Sequence, residues 1–128
     1  MKYLPLIIFV VSLFANGNSM DKNFKLKTED IEDIAKGYGS CIATDKITVE
    51  GKIVGYMYRE APSSPHDSGW VFMSGYETQE YMDEPNNHAV YDVNTIANYD
   101  REIIPLLKFP VGSSFERNEF GKFVEIKE

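Results

Sequence analysis

The sequence predicts an α+β fold: a single domain with a mostly antiparallel sheet of about four to six strands and short covering helices. Three observations carry this. Segments rich in Ile, Val, Tyr and Phe recur at 40–44, 52–59, 70–74, 88–93 and 122–126, bounded by Gly, Pro, Asn or Asp. The helical patterns between them are short. At 128 residues and 43% hydrophobic content, with eight Tyr and eight Phe, the chain has material for one core.

Residues 4–15 form an apolar run after a lone Lys2. It is shorter than the ~20 residues of a membrane span, and it has the length of an export-signal core followed by small residues at Ala15, Gly17 and Ser19. We therefore expect a signal peptide over 1–19 and a periplasmic or secreted protein with no stable membrane anchoring after cleavage. Met20 offers a second start, from which the protein would be cytoplasmic. Residues 20–37 read as a linker and an N-terminal helix, and 38–128 as the domain. Thr28 is a fair N-cap, Glu29 and Asp30 suit the positive end of the dipole, and Ile31, Ile34, Ala35 and Tyr38 fall on one helical face. Gly37 or Gly39 would end this helix.

Ser40–Thr44 reads as the first strand, continued by 47–50 after an Asp45-Lys46 turn, and 52–59 as a longer one. The stretch 61–69 is a loop by composition, with Pro62 and Pro65. Residues 70–74 are apolar in succession, which predicts a central strand. An acidic helix over 77–83 should stop at Pro85 and the Asn86-Asn87 turn. Alternation over 88–93 places Ala89, Tyr91 and Val93 on one face. Asn94 or Asp100 would cap the next helix, which Pro105 should kink or split in two. Segments 112–116 and 122–126 should form a closing hairpin around 118–121. Ile53, Val71, Phe72, Ile104 and Leu107 are expected to be buried.

The formal charge is −7, and removing the leader with its single charge at Lys2 takes it to −8. That balance argues against nucleic-acid binding, which depends on cations that neutralise phosphates. It suits a basic protein partner, or serves solubility alone. Cys41 is the single cysteine, so no intramolecular disulfide forms, and its apolar neighbours predict a small buried hydrophobe. His66 and His88 lack metal-ligand spacing and read as exposed loop side chains, so neither a metal nor a cofactor is expected.

Carboxylates cluster as Glu77, Glu80, Asp83 and Glu84, which a short helix could carry on one face. Asp67 and Glu77 bracket the Trp70 strand and form the one catalytic-looking pair. Ser63, Ser64 and Ser68 lie in no nucleophile elbow, and Gly37-Tyr38-Gly39 lacks the third glycine of a dinucleotide loop. Binding is the better class. Most aromatics belong to the core, with Trp70 or Tyr81 the best candidates for anchors at an interface rim.

The order of short motifs resembles the immunity-protein-33-like family of bacterial polymorphic toxin systems, formerly a domain of unknown function. The resemblance runs over about 38–118. Its main carriers are Ser40-Cys41-Ile42-Ala43, Val54-Gly55-Tyr56-Met57-Tyr58-Arg59-Glu60, Asp67-Ser68-Gly69-Trp70 and Gly75-Tyr76-Glu77. Tyr81-Met82-Asp83, Tyr91-Asp92-Val93-Asn94 and Ile103-Ile104-Pro105 continue it. It implies a small α+β domain that binds and neutralises a cognate protein toxin. It brings no established catalytic residue, so none is carried over. On this reading Asp67, Trp70, Glu77, Glu80, Tyr81, Asp83 and Glu84 are the expected partner-binding residues. The alternatives are a small exported hydrolase that uses Asp67 and Glu77, or an accessory domain. The apolar leader departs from the family pattern, whose members start close to the domain.

Overall fold

Six strands, β1 (Ser40–Thr44), β2 (Tyr56–Arg59), β3 (Asp67–Met73), β4 (His88–Asp92), β5 (Ser114–Arg117) and β6 (Phe123–Glu125), build one sheet in the order β4-β1-β3-β2-β5-β6. The computed structural model describes residues 22–127. The expected leader therefore lies outside the described residues. Every neighbouring pair is antiparallel except β1 and β3, which run parallel with Ile42 opposite Val71 and Ala43 opposite Phe72. The α+β class with a mostly antiparallel sheet is what the sequence predicts.

Strand β3 sits inside the sheet and is buried on both faces, which its unbroken apolar run requires. Trp70 and Phe72 point into the main core with Ala43, Met57 and Phe115. Helices α1 (Asp45–Thr48) and α3 (Val93–Tyr99) cover that side, with a 3-10 helix at Arg101–Leu106. Val71 and Met73 face the other way and meet Tyr56 and Met82, the latter from helix α2 (Gln79–Met82). Burying a side chain such as Phe72 contributes about 1.5–3 kcal/mol.

Several local expectations need correction. The N-terminal helix does not form: only a 3-10 turn, Thr28–Asp30, is helical there. Asn94 Oδ1 instead accepts the N–H groups of Ile34 (2.8 Å) and Ala35 (2.7 Å). Asn98 Oδ1 accepts from Glu32 N–H at 3.0 Å, and both Asn side chains donate back to the Glu32 carbonyl. Backbone groups that a helix would satisfy internally are thus satisfied from α3. The apolar face survives in part, since Ala35 is buried and Ile34 and Tyr38 pack beside the core.

The predicted continuation of β1 over 47–50 is replaced by α1. Strand β2 begins at Tyr56 rather than at 52, which leaves Ile53 56% exposed instead of buried. Strand β3 begins at Asp67, inside the expected loop. Asp92 caps α3 by accepting from Asn94 N–H, so Asn94 is not a cap and Val93 belongs to the helix. Asp100, in an extended conformation, ends α3 and caps the 3-10 helix Arg101–Leu106, which contains Pro105 without being split by it, so the break falls at Asp100 and not at the proline. His88 is buried, with Nε2 3.0 Å from the Met82 carbonyl oxygen, not an exposed loop residue. Ile104 is only partly buried; Val71, Phe72 and Leu107 are fully so.

Candidate functional site

Glu77 lies outside α2 and is 3% exposed. Strands β1 and β3 run parallel, so their C-terminal ends lie side by side, and Glu77 joins them. Its Oε2 accepts from Thr44 Oγ1 at 2.6 Å and from Ser74 N–H at 2.8 Å, while Oε1 accepts from Gly75 N–H at 3.0 Å. Gly75 has a φ of 98°, open to glycine at little cost, which lets the chain reverse right after the strand. Glu77 is a fastener for this turn and does not share a helix face with Glu80.

Asp67 does equivalent work at the opposite end of β3. Its Oδ2 accepts from Ser63 N–H at 2.8 Å and Ser63 Oγ at 3.1 Å, and its Oδ1 from Gly69 N–H at 2.9 Å. Roughly 20 Å of extended strand separates the ends of β3. The two carboxylates do not converge, and the small cleft that Asp67 lines with Ser40 and Ser63 does not include Glu77. Beside Asp67, the exposed Glu60 carboxyl is raised above its usual range by desolvation and then by the Asp67 charge.

Trp70 is 1% exposed, and its Nε1 donates to the Leu107 carbonyl at 3.1 Å. It is a core anchor that holds the Arg101–Leu106 turn against the sheet, and it does not reach an interface rim. Of the expected surface, Glu80, Asp83 and Glu84 are exposed on and after α2, and Tyr81 is half-buried. Thr78 caps α2 through Tyr81 N–H at 3.0 Å, Gln79 holds Asp83 at 2.9 Å, and Glu84 caps the next turn. Lys46 Nζ stands 4.9 Å from the centre of the Tyr81 ring. Desolvation, then the charges of Asp45, Glu77 and Glu50, push the Tyr81 hydroxyl up.

A second feature escapes the sequence reading. Beside the Glu77 turn, Tyr76 is 69% exposed, and across from it stands Ile53. Between them lies a cleft of about 230 Å³ that Gly55, Gly75, Asn118 and Glu119 help to line. A Cβ on Gly55 would overlap the Ser74 carbonyl, so the close approach of these two segments depends on glycine. The available signal was Ser74-Gly75-Tyr76-Glu77, a glycine turn that carries an aromatic beside an acid.

Cys41 is buried beneath α3, and burial, then Asp92 and Asp67, push its thiol well up. Among the described residues no three His, Cys, Asp or Glu side chains gather as metal ligands, and no helix is long and apolar enough to cross a membrane. Compared with known families, the chain matches the model of the Immunity protein Imm33 domain over residues 41–127. No curated protein and no solved structure matches the chain.

Proposed function

This chain belongs to the Imm33 immunity protein family, and we propose that it is a non-catalytic binding protein that neutralises a cognate bacterial toxin by protein–protein contact. The observation that carries this reading is the family match across most of the domain. The separation of Asp67 and Glu77 supports it, because each carboxylate is saturated by local donors and neither faces the other across a cleft. The hydrolase alternative loses its one constellation.

Glu80, Asp83 and Glu84 give the protein an acidic edge, with Tyr81 at its base, that suits a basic toxin surface. Charges at such a rim mainly raise the association rate. The apolar run at 4–15 supports an exported form that acts in the periplasm. Co-expression with the product of the adjacent reading frame tests the reading. The two proteins should co-purify at a fixed ratio, and cells that carry both should grow. Growth arrest despite full expression of this chain, with no complex recovered, would reject it. N-terminal sequencing of a periplasmic extract tests export: an intact Lys2-Tyr3 end argues against cleavage.

A further inference from the structure

We propose that the cleft between Ile53 and Tyr76 is the partner-binding centre, and that it receives an apolar side chain flanked by Lys or Arg on a loop of the toxin. The inference rests on the toxin-binding reading above and adds the place and the chemistry of the contact. Three observations support it.

The first is exposure without looseness. Tyr76 and Ile53 are 69% and 56% exposed, yet both spring from fixed backbone. Glu77 pins the Ser74 and Gly75 N–H groups on one side. On the other, Val54, next to Ile53, gives its N–H to Asp100 Oδ2 at 3.0 Å and its carbonyl accepts from Arg117 Nε at 2.7 Å. Backbone already held in place loses little freedom on binding, and Tyr offers a large contact area with only two rotatable side-chain bonds.

The second is size. About 230 Å³ is below the ~300–1,000 Å³ typical of small-molecule pockets. It accommodates one or two side chains of a protein loop.

The third is charge. Glu119 lines this cleft, and Glu116, Glu119 and Glu125 line the adjoining groove over Val124. Arg117 borders both, but its guanidinium is directed at Val54, Asp100, Glu102 and Gly121. Lys127 pairs with Glu125 at 3.1 Å, and Glu119 is the carboxylate that lines the cleft itself. An apolar centre with an acidic margin is complementary to an apolar residue beside cations. A second copy of this chain fits poorly, since a two-fold contact would set the same carboxylates against each other.

The test measures binding of the full chain to the purified product of the adjacent reading frame, by calorimetry and by stopped-flow association. Tyr76→Ala should weaken Kd about 30-fold and Ile53→Ser about tenfold, the range of interface anchors. Glu119→Lys should slow association, most at low salt. Each variant should keep the wild-type urea midpoint, and Tyr76→Phe should retain affinity. Hydrogen exchange in 74–76 and 118–121 should slow in the complex, a readout that needs no variant. If wild type binds while Tyr76→Ala/Ile53→Ser binds equally well and those segments gain no protection, the site is elsewhere and the toxin-binding reading stands. Failure of wild type to bind overturns that reading and this inference with it.

Discussion

The Thr44 hydroxyl donates to Glu77 Oε2 at 2.6 Å, so a residue at the end of one parallel strand is tied to the turn that leaves the other. The same oxygen accepts the Ser74 N–H. Parallel pairs are joined by longer connections than hairpins, and their ends need fastening. Here one buried carboxylate does this with three donors, and the turn it fixes presents Tyr76.

Replacing Glu77 by Ala therefore leaves the buried N–H groups of Ser74 and Gly75 without an acceptor. Each such loss costs about 1–3 kcal/mol, so Glu77→Ala should lower unfolding stability by about 2–5 kcal/mol. Glu77→Gln keeps one acceptor oxygen and should lose less. Urea unfolding followed by far-UV circular dichroism gives both values. Equal midpoints for Glu77→Ala and wild type would show that the turn is held by something else.

Asn94 is the second structural fastener. It serves Ile34 and Ala35 N–H and donates to Glu32, from a helix some 60 residues away in sequence. Asn94→Ala should destabilise by about 1–3 kcal/mol and free residues 32–38 for exchange and proteolysis while the sheet stays intact. Uniform loss of protection across the domain would contradict a local role.

This explains why the sequence misleads at that point. Ile31, Ile34, Ala35 and Tyr38 do have helical spacing, but Asn94 and Asn98 compete for the backbone, and no local pattern in 28–38 announces them. Ile53 is exposed against its sequence pattern for a related reason: β propensity extends through 52–55, yet the ladder starts only at Tyr56. The Trp70 strand, the closing hairpin and the Asp100 cap were legible because adjacent residues determine them. Glu77 looked like one more helix acid, because its role depends on Thr44, distant in sequence and adjacent only in the fold. Of the candidate surface, the acidity of Glu80, Asp83 and Glu84 could be read directly. The inward turn of Trp70 and the outward turn of Tyr76 could not.

A third prediction concerns Arg117 and Asp100, paired at 2.7 Å with side chains 10% and 6% exposed. Asp100 Oδ2 also receives Val54 N–H. Breaking a buried pair by removing one partner leaves an uncompensated charge, so Arg117→Met should cost about 3–5 kcal/mol. The double change Arg117→Met/Asp100→Asn should cost less than the two single effects combined. Strict additivity in a double-mutant cycle would deny the coupling.

Alkaline pH should weaken the fold. Burial raises Cys41, Tyr58 and Tyr99, and it raises Tyr91 to about 12 from an ordinary 10.0. These groups keep their protons in the folded state above the pH at which the unfolded chain releases them. The folded state then binds more protons, so stability falls as pH rises. Their contribution should be constant below the ordinary thiol and phenol values and decline as pH climbs toward the raised ones. Urea midpoints between pH 7 and 11 measure this, and native Cys41 should label slowly with a thiol reagent throughout. Prompt labelling at neutral pH would place Cys41 outside the core.

The most direct measurement of the central claim is a titration of toxin activity with this protein at fixed toxin concentration. Neutralisation by binding predicts that activity falls linearly and vanishes at a fixed stoichiometric ratio, and that it returns when the complex is dissociated. Complete, irreversible inactivation by a small fraction of an equivalent would mean turnover, and would contradict the account.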